Sequence, residues 1–404
     1  MSRRPSQPIT RSAGDPKRGF SRMKRVVATG LAAGLAGAAI VAAPGVAAAG
    51  GGSSGGDGKG GDLTVAFQNL YLGASLSPAI EAAESGDIVA FLNAAAGVYE
   101  TAQATDFPLR AKKIAKTMKE QNPNILALNE VTYWRTMRNT AGPDLPEYNF
   151  LTILKKQLAK RGMNYKVAAK VKNADLEIPY LKPGLNCSAI AIPYSDSDCT
   201  VTLQDRDVIL IKKKKGLSWN KPKSGTYAAQ ETFTVAGQVL SFDRGWASTN
   251  VKYNGAKMKV YTSHFEVEEQ TLGQPGRSKI QYAQAQELLK IMRKHKKRTT
   301  ILAGDLNTDA NGQTSDTYAK LTKSFFEDSW LQAGRTGKGL TCCQNADLSN
   351  KKSELDQTRI DLVLNHGKAT SYWAKRLGTK KFRKSPLPLW ESDHAGYVTK
   401  MRVG

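Results

Sequence analysis

The sequence predicts an α+β fold in which mixed β-sheet is layered with helices, and three observations carry that expectation. Short apolar, β-branched runs bounded by turn residues recur along the chain and read as buried strands. Between them lie longer stretches with apolar residues at helical spacing. The two kinds alternate without a strict strand–helix–strand rhythm, which favours packed mixed sheets over a barrel.

Taken in order, residues 63–67 are a strand by this test, and Ser77-Pro78 reads as an N-cap followed by proline at the first helical position. The helix it opens reaches about Ala102, with a break at Ser85-Gly86. Residues 109–120 repeat apolar side chains at Ile114, Ala115 and Met118 and stop before Asn122-Pro123; a strand follows at 124–128. Phe150, Leu151, Leu154 and Leu158 share one helical face that ends at Gly162. Residues 277–297 are helical on Ile280, Ala283, Leu288 and Ile291, and strands are expected at 258–262, 299–303, 360–364 and 396–401.

The chain carries 59 Lys and Arg against 35 Asp and Glu in 404 residues, a formal charge of +24. Residues 1–49 begin basic, continue through an Ala/Gly/Val/Leu run and end in Gly45-Val46-Ala47-Ala48-Ala49, which reads as a signal peptide cut near Ala49. A membrane anchor is the alternative, but that run is only weakly apolar. Cleavage removes eight cations and one acid and takes +24 to +17. Residues 50–61 are a Gly/Ser-rich linker. No second such break and no internal repeat follow, so residues 62–404 are expected to form one domain, secreted and monomeric.

Several strands finish in residues able to bind a cation or move a proton. The first runs into Asn69, the second into Asn129-Glu130 and a later one into His264. Gly304-Asp305-Leu306-Asn307 ends another, Arg359-Ile360-Asp361 opens one, and Ser392-Asp393-His394 precedes the last. Any one alone is an ordinary capped turn. As an ordered series they resemble the endonuclease/exonuclease/phosphatase superfamily, which includes deoxyribonuclease I, apurinic endonucleases and bacterial neutral sphingomyelinases. The resemblance spans residues 69–394 and implies a four-layer α/β/β/α sandwich of two packed mixed β-sheets, with the active site at one end.

The residue types suit phosphoester hydrolysis, which requires neutralised phosphate oxygens, an activated water and a stabilised leaving oxygen. Asn69 and Glu130 are hard oxygen donors fit for Mg²⁺, with Mn²⁺ or Ca²⁺ as alternatives; the resemblance implies that they hold the metal and that Asp393 adds a second contact. By resemblance, Asp361 fixes the tautomer of His394, which acts on the attacking water. Asp305 positions or helps to deprotonate that water, while Asn307 and His264 hydrogen-bond the phosphate. An inactive polyanion-binding module is the contrasting class, and the intact set of polar residues argues against it.

For the substrate, Lys380, Lys381, Arg383 and Lys384 interleaved with Trp373 and other aromatic residues suit nucleic acid, or a peripheral membrane contact. The net +17 leans to extracellular nucleic acid. The segments around Asn69 and Glu130 look closer to the sphingomyelinase pattern, which keeps phospholipid headgroup cleavage as the second reading. Tyr71 stands where the apurinic endonucleases carry an acid. Lys212–Lys215 reads as a solvated strand end or hairpin, His366 as a turn residue, and Cys187–Cys199 as a local disulfide. Cys342 and Cys343 either bridge each other or pair elsewhere.

Overall fold

The computed structural model describes residues 60–404 apart from 139–143, 181–186, 188–198, 236–237, 269–276, 313–315 and 384–388. The expected signal segment, most of the linker, and Lys384 lie outside the described residues.

In chain order the elements are β1 (Gly61–Asn69), α1 (Ser77–Glu84), α2 (Ile88–Ala104), α3 (Phe107–Gln121), β2 (Ile125–Asn129), β3 (Tyr133–Arg138), β4 (Tyr148–Asn149), α4 (Phe150–Ala159), β5 (Tyr165–Pro179), β6 (Cys199–Lys212) and β7 (Leu217–Thr226). There follow β8 (Thr232–Val235), β9 (Gln238–Ser241), β10 (Gly245–Tyr253), β11 (Ala256–His264), α5 (Arg277–Arg293), β12 (Thr299–Asp305) and α6 (Thr317–Ser324). The chain ends with β13 (Glu327–Asp328), α7 (Ser329–Gln332), β14 (Asp361–His366), β15 (Ala369–Leu377) and β16 (Gly396–Val403).

One sheet runs β15-β16-β1-β2-β6-β3-β4 with β5 also on β6, and the second runs β13-β14-β12-β11-β10-β7. Their inner faces meet in a core of Val65 and Phe67 on β1 and Ala127 on β2 with Val260, Ile301 and Val363 from the other sheet. The outer face of the first sheet is covered by α3 and α4 through Ile114, Met118, Leu154 and Leu158. The second is covered by α5 through Ala285, Leu288, Leu289 and Met292. This is the expected α/β/β/α sandwich.

Local differences have local causes. The helix cap falls on Leu76 rather than Ser77, with no side-chain cap bond, because the Ser75 hydroxyl instead receives the Ser77 N–H. Asp87 caps α2 by accepting from the Val89 and Ala90 amides, which is why the helix restarts just beyond Gly86. The helix starting at Arg277 stops at Arg293, short of Lys297. Of the two readings of Lys212–Lys215 the solvated strand end holds: Lys212 closes β6, and exposed Lys213, Lys214 and Lys215 lead to β7 in the other sheet. His366 is no turn residue; it ends β14, stacked on Phe325, with its ring nitrogens on the Phe325 and Lys296 carbonyls. Cys187 bonds Cys199 and Cys342 bonds Cys343.

Candidate active site

Strand register brings the polar residues together. Parallel β1 and β2 place Asn69 opposite Asn129, which sets Glu130 just beyond the end of β2 in the middle of the first sheet. Antiparallel β12 and β14 place Asp305 opposite Asp361, and β11 beside β12 ends in His264. A Cβ at Gly304 would sit 2.0 Å from the Ser263 carbonyl oxygen, so only glycine permits the close approach of β11 that fixes Asp305. Glu130 and Asn307 then take φ of +51° and +48°, turning the chain sharply where the strands end.

Asn69 is fully buried and its Nδ2 donates to Glu130 Oε1 at 2.8 Å and to Asp305 Oδ2 at 3.0 Å, while its Oδ1 accepts from the Tyr71 amide. It thus aims two carboxylates at one space. The Leu72 amide donates to Glu130 Oε2 at 2.7 Å. The turn that carries Tyr71 is held by buried Arg110, whose guanidinium donates to the Leu70 and Tyr71 carbonyls. Ser392 Oγ donates to the Asn69 carbonyl and ties in the segment carrying Asp393 and His394.

His394 Nδ1 lies 2.8 Å from Asp361 Oδ2 and 3.7 Å from Asp305 Oδ2, and Nε2 lies 3.9 Å from Asp393 Oδ2. Burial opposes the imidazolium, but Asp361, Asp393 and Asp305 together hold its pKa well above the ordinary value. His264 Nε2 is also 3.7 Å from Asp305 Oδ2, yet burial, then Arg244 and His394, push its pKa well below normal. Arg244 lies against both of its ring nitrogens and donates twice to Glu266. Asn307 Nδ2 sits 3.2 Å from His264 Nε2 and donates to the Phe265 carbonyl.

Burial and then Asp393 push the Glu130 carboxyl up to about 8, and burial and Asp305 push Asp361 up to about 6. The cavity around these groups is also lined by Glu266, Glu268 and Asp309, and Arg244 is the only Lys or Arg among its described lining residues. A phosphate anion entering an acidic cavity is repelled unless a cation enters with it. Glu130 and Asp393 offer carboxylate oxygens of the kind Mg²⁺ takes, so the donor set fits a hard divalent metal, whereas Asn69, expected among the ligands, turns its Nδ2 to this space and keeps its Oδ1 on the Tyr71 amide.

All eight residues expected at the centre converge there. Lys380, Lys381, Arg383 and Trp373 do not line the cavity. Lys381 Nζ donates to the Lys351 carbonyl, Arg383 lies 3.8 Å from Asp106, and Trp373 is on β15 under Lys400. Sequence reasoning missed Arg244, Glu266, Arg110 and a buried pair, Asp205 and Asp207, that shares Asn173 Nδ2. Burial raises the pKa of both acids, and of Asp207 further through Asp205. The available signal was Asp205-Arg206-Asp207 leading directly into the apolar run 208–211, since buried charges need a reason.

The endonuclease/exonuclease/phosphatase family model matches residues 90–394. A solved endonuclease/exonuclease/phosphatase family protein from Bacteroides thetaiotaomicron is 15% identical with a TM-score of 0.53, over 86% of this chain and 99% of that one. A mannosyl-6-phosphatase from the same organism is 16% identical with a TM-score of 0.51, over 84% and 99%. At such identities the likeness is one of fold. No curated protein matches the chain.

Proposed function

This chain belongs to the endonuclease/exonuclease/phosphatase family, whose members are metal-dependent phosphoric ester hydrolases, and from that premise we propose that it is an exported, Mg²⁺-dependent phosphodiesterase. The observation that carries this reading is Asp305 held between two imidazoles, one paired to Asp361, opposite the Asn69–Glu130 pair. Glu130 and Asp393 would hold the metal, with Asn69 orienting Glu130, and the metal would supply positive charge against a phosphate oxygen.

The chain's own residues divide the remaining work. Asp305, fixed by the Asn307 and Asn69 N–H groups, accepts the proton of the attacking water as its oxygen bonds to phosphorus. His394, kept protonated by its carboxylates, gives a proton from Nε2 to the ester oxygen as the P–O bond breaks. Water and diester become a monoester and an alcohol. His264, kept neutral, and Asn307 offer hydrogen bonds to the phosphate rather than charge.

Residues 1–49 support export. The +17 that remains supports association with polyanions, nucleic acid foremost, but net charge does not select the scissile ester. The test is hydrolysis of bis(p-nitrophenyl) phosphate with and without Mg²⁺, with His394→Ala as the blank. Mg²⁺-dependent nitrophenol release lost in the variant is expected; no turnover under any divalent metal would overturn the reading.

A further inference from the structure

Hydrolysis of a phosphodiester needs only the polar end of the cavity, yet the same cavity, about 390 Å³ in volume, continues past Glu130 along apolar side chains. That volume lies in the range of small-molecule sites, about 300–1,000 Å³. Leu72 joins the two parts. Its amide binds the Glu130 carboxylate, its carbonyl accepts from the Trp134 indole at 2.8 Å, and its side chain lines the cavity.

One wall comes from the β5–β6 ladder. Leu176 faces Leu203 and Ile178 faces Val201, and alternation along each strand puts all four on one face. A second comes from α2, where Phe91, Ala95 and Val98 stand at positions i, i+4 and i+7 of one helical face. Leu76 and Ile80 at the start of α1 complete the lining. Leu76, Ile80, Leu176 and Ile178 are only half-buried, so this apolar surface stays available for a ligand to cover.

Charge separates the substrates. A nucleic acid carries a further phosphate beyond the scissile one, and in this limb it would meet leucine and isoleucine with no Lys or Arg among the described lining residues. A hydrocarbon chain meets what it requires. We propose that the apolar limb binds one alkyl chain of the substrate, which makes the substrate an amphiphile: a phosphodiester with a hydrocarbon chain on one ester arm. This deepens the phosphodiesterase reading and rests on it.

The test is kcat/KM, with Mg²⁺, for p-nitrophenyl phosphodiesters bearing methyl, butyl, octyl or dodecyl groups, each below its micelle concentration. Values are expected to rise about two- to fourfold per added methylene until the limb is full. Leu176→Lys and Ala95→Phe should compress the octyl-to-methyl ratio at least about tenfold. Lysophosphatidylcholine and dodecylphosphocholine then separate a glycerol-linked chain from a directly esterified one, and faster turnover of either identifies the source. A cleaved methyl ester with a flat chain-length profile, or DNA turned over faster than the octyl diester, would overturn the alkyl subsite and leave the phosphodiesterase standing. Were no diester cleaved, that broader reading would fall first. Dodecylphosphocholine displacing a bound apolar dye from wild type, and failing to in Leu176→Lys, would still support the subsite, and no displaceable dye would sink it.

Discussion

His394 and His264 are the same residue type, both buried and both 3.7 Å from the same oxygen of Asp305, yet they titrate in opposite directions. The difference lies in the other partner of each ring. Asp361 sits at 2.8 Å from His394 Nδ1, whereas the Arg244 guanidinium sits at 3.1 Å from His264 Nδ1. Distance to the central carboxylate therefore does not assign a role. The neighbour on the far side separates them, favouring the charged form of one ring and the neutral form of the other.

The strongest way to break this contrast is to remove the imidazole proposed as the proton carrier. His394→Ala should lower kcat/KM on a small diester by about 10³-fold, within the range for loss of a general acid or base. Asp361→Asn should cost less, about 10²-fold, and move the alkaline limb of the pH–rate profile to lower pH. The sign follows from Asp361 raising the His394 pKa: without it the imidazolium deprotonates earlier. An alkaline limb that stays in place would detach His394 from that titration.

Most of the centre was legible in the sequence because its residues terminate apolar strands, where a change from buried to polar is visible in the pattern itself. Asn69 follows a run buried from Val65 onward, Glu130 follows a strand that is wholly buried, and Asp305 ends another. Arg244 was not legible, since its importance arises from side-chain contacts with His264 and Glu266, and Asp205 and Asp207 showed only as charges inside a strand, with nothing in the pattern to point to Asn173. The strands carrying such contacts were also hard to read. β5 has bulges between Val167 and Ala169 and between Lys172 and Ala174, which break its alternation, and the edge strand β7 is polar on both faces over most of its length. The basic loop was conspicuous as composition, but composition does not say where a loop lands.

The carboxylate side of the contrast is sharpened through Glu130. Glu130→Gln should raise the Mg²⁺ concentration needed for half-maximal activity at least about tenfold. Its pKa also makes a stability prediction for the metal-free protein. The folded value is raised to about 8 from 4.5, so the folded state binds the extra proton between these values. Stability contributed by this group is full below about 4.5 and is lost as pH rises through about 8. Thermal melting without metal should accordingly fall from pH 5 to pH 8, the slope should flatten in Glu130→Gln, and Mg²⁺ should restore the wild type most at the upper end.

On the neutral side, Arg244→Gln should reduce activity about tenfold, the scale of one lost charge-assisted contact. Because Arg244 lowers the His264 pKa, its removal raises it, and the acidic limb of the rate profile should move to higher pH. Arg244→Lys retains the charge and should return that limb toward wild type. Unchanged limbs in both variants would mean that the state of His264 does not matter to turnover.

The smallest effect is expected from the cations that sequence composition brought forward. Lys380→Ala, Lys381→Ala and Arg383→Ala combined should change hydrolysis of a small diester by less than about twofold, because Lys381 and Arg383 are engaged with Lys351 and Asp106 outside the catalytic cavity. If the contrast between the two histidines contains the essential charge logic, that result holds at every ionic strength. A loss confined to DNA, with a flattened salt dependence, would instead give this loop a polyanion-binding role. The two assays therefore divide surface attraction from chemistry: a loop that only recruits would alter KM for the long polyanion and leave kcat on the small ester unchanged.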